Sequence, residues 1–157
     1  MEPTIEPAVL EDATELASMV GELLGEIMER IAEPAFQFDV QATEQRLRDY
    51  LRGDAPYTVH VARAADGLCG FVGLCEAHAL YAGGAYGTVT ELYVRPAHRG
   101  EGVGRRLLDA VLAYGAARGW TRLEVTTPPL PAFDATLRFY QREGFAITGG
   151  RKLKRLL

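Results

Sequence analysis

The chain has 157 residues, of which 48% are hydrophobic and 24% charged, and its formal net charge is −4. This length and composition predict one soluble globular domain over residues 1–157. No apolar run reaches the roughly 20 residues needed to cross a bilayer. The first residues lack the basic and apolar regions of a signal peptide. We therefore expect a cytoplasmic protein that contacts no membrane, and the acidic balance argues against nucleic-acid binding.

The cysteines and histidines show no pattern of a disulfide or a metal site. Cys69 and Cys75 fall in one predicted strand. There, six residues at about 3.3 Å each separate them by roughly 20 Å, beyond the reach of a disulfide. His60, His78 and His98 are scattered without metal-ligand spacing, so no metal is expected.

Hydrophobic periodicity predicts strands and helices along the whole chain. The predicted elements, in order, are strand Thr4–Val9, a helix through Leu16–Ile31, helix Ala42–Leu51, strands Tyr57–Ala64, Leu68–Leu80 and Thr88–Val94, a helix through Leu107–Gly115, strand Trp120–Thr126, helix Asp134–Glu143, and strands Phe145–Thr148 and Arg151–Leu156. Asp12 and Glu15 resemble a capping box for the first helix, and Gly119 is expected to end the third. The order predicts an α/β domain with a mixed sheet of six to seven strands and about four helices.

The stretch Thr88–Leu108 combines a strand, a glycine-rich turn and the start of a helix. Its glycines allow successive backbone N–H groups to converge on one point. The helix dipole adds positive potential there, and Arg99, Arg105 and Arg106 add full charges. The stretch therefore predicts an anion site whose ligand carries phosphate.

The spacing of the glycines decides between the known phosphate loops. A Walker loop ends in Gly-Lys-Ser/Thr, but Gly104 is followed by Arg105, which also occupies the third glycine position of a dinucleotide fingerprint. The remaining pattern is Arg99-x-x-Gly102-x-Gly104 after the strand residues 91–94. It resembles motif A of the GNAT superfamily of N-acetyltransferases. The alternative is an ordinary glycine-rich turn between a strand and a helix.

The resemblance implies acetyl-coenzyme A as the co-substrate, with its pyrophosphate at this turn. It also implies that a backbone N–H within Leu92–Val94 holds the reacting carbonyl oxygen, at a point where the family's central strand bulges. The expected cofactor-binding residues are Leu92, Tyr93, Val94, Arg99, Gly100, Glu101, Gly102, Val103, Gly104 and Arg105. The family pattern is direct acetyl transfer within a ternary complex to a primary amine of a small molecule or peptide. Family members are often homodimers, so a homodimer is expected here.

The segment Leu137–Phe145 resembles GNAT motif B, in which a tyrosine near the end of a helix serves as general acid. Tyr140 occupies that position. Family members usually carry an asparagine seven residues earlier that contacts the pantetheine arm. Here Phe133 stands at that position, so the resemblance does not predict this polar contact. Asp134 beside it is expected to cap the helix.

Transfer to an amine also requires a base, because a primary amine is mostly protonated at neutral pH. The central strands carry two candidate bases, Glu91 and Glu124. Alternation predicts that Glu91 shares a sheet face with Val89 and Tyr93. The resemblance offers both glutamates as the base in different family members. A structural ion pair is the alternative role for either.

Two further alternatives stay open at this stage. The chain could be a catalytically silent module that binds acyl-coenzyme A as a sensor or supports a partner. Phe36 and Phe38, between the first two helices, are expected either to pack against the sheet or to form a wall of the acceptor site.

Overall fold

A sheet of five strands organises the larger part of the molecule. The computed structural model describes residues 2–157, which separate into two units, one ending at Thr126 and the other spanning Thr127–Leu157. The strands lie side by side in chain order: β1 Thr4–Pro7, β2 Tyr57–Ala64, β3 Gly67–Ala79, β4 Gly84–Val94 and β5 Leu123–Val125. Strands β1 to β4 pair antiparallel, and β5 runs parallel to β4. The predicted mixed α/β sheet is confirmed.

Among residues 2–157 the structure contains four α-helices, which agrees with the predicted number. They are α1 Ala13–Ile31, α2 Val40–Leu51 and α3 Val103–Ala117 in the first unit, and α4 Asp134–Arg142 in the second. Helix α3 connects β4 to β5, and this crossover explains why the pair is parallel. Within the described residues, no helix combines the length and apolar character needed to cross a membrane.

The main hydrophobic core lies between α1, α2 and one face of the sheet. The predicted stripe of α1 supplies Leu16 and Met19, both without solvent exposure, and α2 supplies Leu47. The sheet contributes Phe71 and Val61 to the same cluster. Full burial stabilises each such side chain by about 1.5–3 kcal/mol relative to exposure. This core positions α1 and α2 over the face of β4 that also carries Tyr93.

The predicted capping box at the start of α1 is wrong. Asp12 ends a 3-10 turn in helical conformation and makes no cap to α1. Its carboxylate accepts instead from the Val9 N–H at 2.9 Å and pairs with Arg63. Glu15 lies in the first turn of α1, but its carboxylate accepts from the Leu68 N–H at 3.2 Å. The local sequence could not show these partners, because two of them lie in the hairpin of β2 and β3.

Helix α2 begins two residues earlier than predicted. Asp39 precedes it in extended conformation, and its carboxylate accepts a hydrogen bond from the Ala42 N–H at 2.9 Å. This is the geometry of an aspartate N-cap, which satisfies one of the unpaired donors of the first turn. The helix therefore starts at Val40.

Within the described residues 2–157 the sheet has five strands, and the predicted count of six to seven is wrong. Residues 145–157 form neither helix nor strand, so the predicted strands Phe145–Thr148 and Arg151–Leu156 are absent. Two leucines of this segment are exposed, Leu153 at 92% and Leu156 at 85%. A two-stranded hairpin that buries no apolar face is marginal in water. The predicted strand Trp120–Thr126 is also shorter, reduced to the three residues of β5.

The predicted end of α3 at Gly119 agrees with the geometry. Gly119 has φ +76°, in the left-handed region. Its N–H bonds to the Ala116 carbonyl, and the Trp120 N–H bonds to the Gly115 carbonyl at 2.9 Å. This pair of bonds is a Schellman motif. The Trp120 ring packs directly on Gly115, where any side chain would collide with it.

Candidate active site

The glycine-rich turn follows the end of β4 and leads directly into α3. Gly100 and Gly102 have φ near +80°, at +79° and +81°, which non-glycine residues adopt only with strain. Gly102 is the N-cap of α3, and the first bond within the helix is from the Arg106 N–H to the Gly102 carbonyl. The preceding N–H groups of the first turn have no carbonyl within the helix to bond. The turn thus presents backbone donors at the positive end of the helix dipole, which suits a phosphate.

Arg99 is held beside this turn by three contacts. Its Nε donates to the Val94 carbonyl at 2.8 Å, and its Nη2 pairs with Glu26 of α1 at 2.7 Å. The guanidinium also lies 5.6 Å from the centre of the Tyr93 ring. Arg95 makes parallel contacts with Glu15 and Glu22 on the same helix. These ion pairs fix α1 against the start of the glycine-rich turn.

Strand β4 loses its parallel neighbour partway along its length. It pairs with β5 only from Gly87 to Val89, but it continues to pair with β3 as far as Val94. The Arg95 N–H bonds to Cys69 of β3. Because donors alternate along an antiparallel strand, Leu92 and Val94 turn their N–H groups away from β3. These two donors therefore face the gap beside β4, whereas the Tyr93 donor faces β3.

A bulge in β4 changes the predicted faces. Gly73 of β3 pairs with Glu91 and the next residue, Leu74, pairs with Val89, so Thr90 is the extra residue. Glu91 therefore shares the α1 side of the sheet with Tyr93 but no longer shares a face with Val89. The prediction that all three alternate on one face is wrong, because a bulge shifts the alternation by one residue.

The Glu91 carboxylate receives two hydroxyl donors on one oxygen. Tyr57 donates to Oε1 across β3, and the Thr90 hydroxyl lies 2.5 Å from the same oxygen. The Tyr57 phenol passes over Gly73, where a side chain would occupy the same space. Burial and the neighbouring Glu91 raise the pKa of Tyr57 far above its usual value. The Tyr57 phenol therefore stays protonated at neutral pH and acts as a hydrogen-bond donor.

Glu124 lies on the same face of the sheet but in an ion pair. Glu124 of β5 pairs with Thr88, and Thr88 pairs with Cys75 of β3. Cys75 lies two residues after Gly73, the partner of Glu91, so it is on the same face. Both glutamates therefore face the α1 side. The Glu124 carboxylate accepts from Arg122 at 3.0 Å, and that guanidinium lies 4.7 Å from the centre of the Tyr81 ring.

Tyr140 is positioned by the end of helix α4 in the second unit. Gly144 has φ +95°, its N–H bonds to the Gln141 carbonyl, and the Phe145 N–H bonds to the Tyr140 carbonyl at 3.0 Å. This is again a Schellman motif, and its usual hydrophobic contact is the packing of Tyr140 on Phe145, with ring centres 5.4 Å apart. Burial raises the pKa of Tyr140 to about 12, so the phenol keeps its proton at neutral pH.

Other predicted positions differ in detail from expectation. Phe133 is buried and stands at the N-cap of α4, whereas Asp134 is the first residue of the helix. The prediction that Asp134 caps the helix is therefore wrong, although its charge suits the first turn. Phe38 packs on Gly21 of α1, and both it and Phe36 stay partly exposed, at 37% and 42%. Both cysteines are free, as expected from their separation.

The sequence did not single out Tyr57 or Thr90 as members of this site. Tyr57 lies 34 residues from Glu91 along the chain, and no local pattern connects them. Gly73, in the middle of a long strand, is the one indirect signal, since a glycine there marks a bulge or a close approach. Among residues 2–157, the structure brings together no three His, Cys, Asp or Glu side chains as a metal site.

Comparison with known proteins agrees with this architecture. Residues 55–147 match the acetyltransferase (GNAT) domain family. The chain is 36% identical over 76 residues to an IAA acetyltransferase of Azospirillum brasilense, which covers 48% of each protein. It is 37% identical over 101 residues to a streptothricin acetyltransferase of Streptomyces lavendulae, which covers 61% of this chain and 48% of that protein. These alignments thus span about half the length of the curated relatives.

A solved structure shows the same fold over nearly the whole chain. The crystal structure of a ribosomal-protein-alanine N-acetyltransferase from Brucella melitensis biovar Abortus 2308 superposes with a TM-score of 0.73 at 22% identity, and covers 98% of this chain and 99% of that one. The α/β sheet with a strand–glycine turn–helix unit at its centre defines a GNAT-type fold. The family match covers more than half of the sequence, and this chain belongs to the GNAT acetyltransferase domain family.

Proposed function

We propose that this protein is an N-acetyltransferase that moves acetyl from acetyl-coenzyme A to a primary amine of a small molecule or peptide. The observation that carries the proposal is that three functional features follow one another along β4. One strand bears a hydrogen-bonded glutamate, turns two backbone donors into a gap, and ends in the phosphate-binding type of turn. Acetyl transfer requires a base, donors for the carbonyl oxygen and a phosphate site. Strand β4 and the turn after it offer these three features one after another.

The glycine-rich turn would bind the pyrophosphate of acetyl-coenzyme A. Its left-handed glycines and the backbone N–H groups of the first turn of α3 suit an anion, and Arg99, which pairs with Glu26, lies beside this turn. Donors from Leu92 or Val94 would hold the carbonyl oxygen of the thioester as it gains negative charge. The remaining predicted contacts, including Glu101 and Arg105, belong to the same proposal.

Glu91 would accept the proton of the ammonium group, directly or through water. The neutral nitrogen then attacks the carbonyl carbon, the C–N bond forms, and the C–S bond breaks. The departing sulfur would take a proton from the Tyr140 hydroxyl, the role that the motif B resemblance implies, and this phenol is protonated at neutral pH. The nitrogen would lose its second proton as the C–S bond breaks, and through water that proton would restore the Tyr140 hydroxyl. The proton held by Glu91 would then pass to solvent. Glu124 is the second candidate base, but its ion pair with Arg122 favours a structural role. The cytoplasmic location, the homodimer and the single domain stay predictions.

The test is the release of coenzyme A from acetyl-coenzyme A in the presence of spermidine, kanamycin, lysine or a short peptide with a free amino terminus. Turnover of any amine, with its acetylated product identified by mass spectrometry, supports the proposal. Tight binding of acetyl-coenzyme A without turnover of any amine would favour the silent acyl-coenzyme A module. Absence of binding would contradict the assignment of the glycine-rich turn.

A further inference from the structure

Glu91 is bonded asymmetrically. The hydroxyls of Tyr57 and Thr90 both donate to Oε1, and these two hydroxyls lie 3.1 Å from each other. Each hydroxyl carries one proton, so the carboxylate can accept from both at once. Neither of these hydroxyls bonds to the second oxygen, Oε2. One oxygen of the carboxylate is therefore held by hydroxyl donors, and the other is left for a ligand.

The donors come from opposite kinds of environment. Tyr57 is held by packing, because the centres of its ring and the Tyr50 ring of α2 are 4.8 Å apart. Its phenol also passes directly over Gly73, which has no side chain. Thr90 is exposed and occupies the bulge itself. The bulge is what places a hydroxyl and a carboxylate from consecutive residues beside the same phenol. In a regular strand, their side chains would point to opposite faces.

We propose that Tyr57 and Thr90 form a hydroxyl clamp that positions Glu91, so that proton transfer takes place at Oε2. This inference rests on the proposed function and deepens it, since it assigns two positioning residues and one reacting oxygen to the base. Tyr57 is assigned a positioning role because its hydroxyl bonds to Glu91. The clamp restricts the carboxylate to one rotamer, and rate loss follows when a catalytic group is held less well.

The test is a double-variant cycle on kcat with the fastest amine of the panel above. Tyr57→Phe is expected to lower kcat about tenfold, the order of one hydrogen bond to a charged group, with the KM of acetyl-coenzyme A unchanged. In the Glu91→Gln background, the same change is expected to have no further effect. A residue with a merely structural role would lower kcat equally in both backgrounds. Thr90→Val should lower kcat and Thr90→Ser should restore it.

Tyr50→Phe is the matched control, because Tyr50 packs on Tyr57 but its hydroxyl is not a partner of Glu91. It should leave kcat within twofold of the wild type. A second cycle measures the contact without any acceptor: the losses of Tm in Tyr57→Phe and Glu91→Gln should not add in the double variant.

The outcomes separate the clamp from the proposed function. If Glu91→Gln lowers kcat by about 10²–10⁴ but Tyr57→Phe lowers kcat equally in both backgrounds, the clamp is overturned and the base assignment stands. If Glu91→Gln turns over at the wild-type rate, the base assignment itself fails. Additive losses of Tm would overturn the contact, whatever the kinetics show.

Discussion

The phenol of Tyr57 reaches Glu91 by crossing β3 at Gly73, and the absence of a side chain at Gly73 is what leaves this path open. Strand β3 lies between the strands that carry the two residues. The contact therefore depends on three neighbouring strands in one register. It connects the hydrophobic core, through the Tyr57 ring, to the carboxylate proposed as the catalytic base.

Gly73→Ala is expected to break this contact. The added methyl group would occupy the space of the Tyr57 hydroxyl, so the phenol must move away from Glu91. We expect kcat to fall by at least tenfold and the free energy of unfolding to fall by about 1–3 kcal/mol, as is usual for overpacking. Steady-state kinetics and urea denaturation measure both effects. Gly25→Ala is the control, because nothing lies within 4 Å of that position, and wild-type behaviour of Gly73→Ala would contradict the geometry.

Glu91→Gln and Glu124→Gln should differ strongly in rate. We expect Glu91→Gln to lower kcat by about 10²–10⁴, the usual contribution of a general base. Glu124→Gln should change kcat by less than about threefold, since that carboxylate is engaged by Arg122 at a partly exposed site. Coenzyme A release measures both variants. A larger loss in Glu124→Gln would move the base to β5.

Gly102→Ala is expected to weaken acetyl-coenzyme A binding. Gly102 has φ +81° at the N-cap of α3, so alanine would strain the turn that presents the backbone donors. We expect the Kd from calorimetry to rise at least tenfold. The control is Gly53→Ala, which carries the same kind of strain, with φ +93°, after α2. Equal loss of affinity in both variants would show that general destabilisation, and not the turn, is responsible.

Tyr140→Phe is expected to lower kcat by roughly a hundredfold while the KM of acetyl-coenzyme A changes little. Burial raises the pKa of Tyr140 to about 12. The phenol is therefore protonated below that value, and the wild-type rate should show no alkaline loss from this group up to about pH 10. A pH–rate profile of both proteins provides the measurement. An unchanged kcat in the variant would exclude Tyr140 as the general acid.

Glu76 should make stability depend on acid pH. Bonds from Arg118 and Trp120, with contact distances of 2.8 and 2.6 Å, lower its pKa from 4.5 to about 2. Below pH 4.5 the unfolded chain binds a proton at this site that the folded chain does not. The stabilisation is therefore complete above pH 4.5 and is lost as the pH falls towards 2. Urea denaturation should show a smaller acid-dependent loss in Glu76→Gln, and an identical pH slope in both proteins would contradict this.

The sequence by itself determined the features that depend on neighbours within a few residues. Gly119 and Gly144 end their helices in left-handed conformation. The glycine-rich turn after β4 and the start of α3 follow from the same local chemistry of glycine and helix termini. The helix stripes and the chain order of β1 to β5 also follow from periodicity, which is a property of the local chain. These features were sufficient to predict the family.

Only the tertiary structure decided which side chains meet. The bulge at Thr90, the pairing of Glu15 with Leu68 and the contact of Tyr57 with Glu91 all join residues from different elements. Strand alternation predicts a face only while the register is regular, and a single inserted residue reverses it. The C-terminal segment shows the same limit, because an alternating pattern becomes a strand only where an edge and an apolar face are available to receive it.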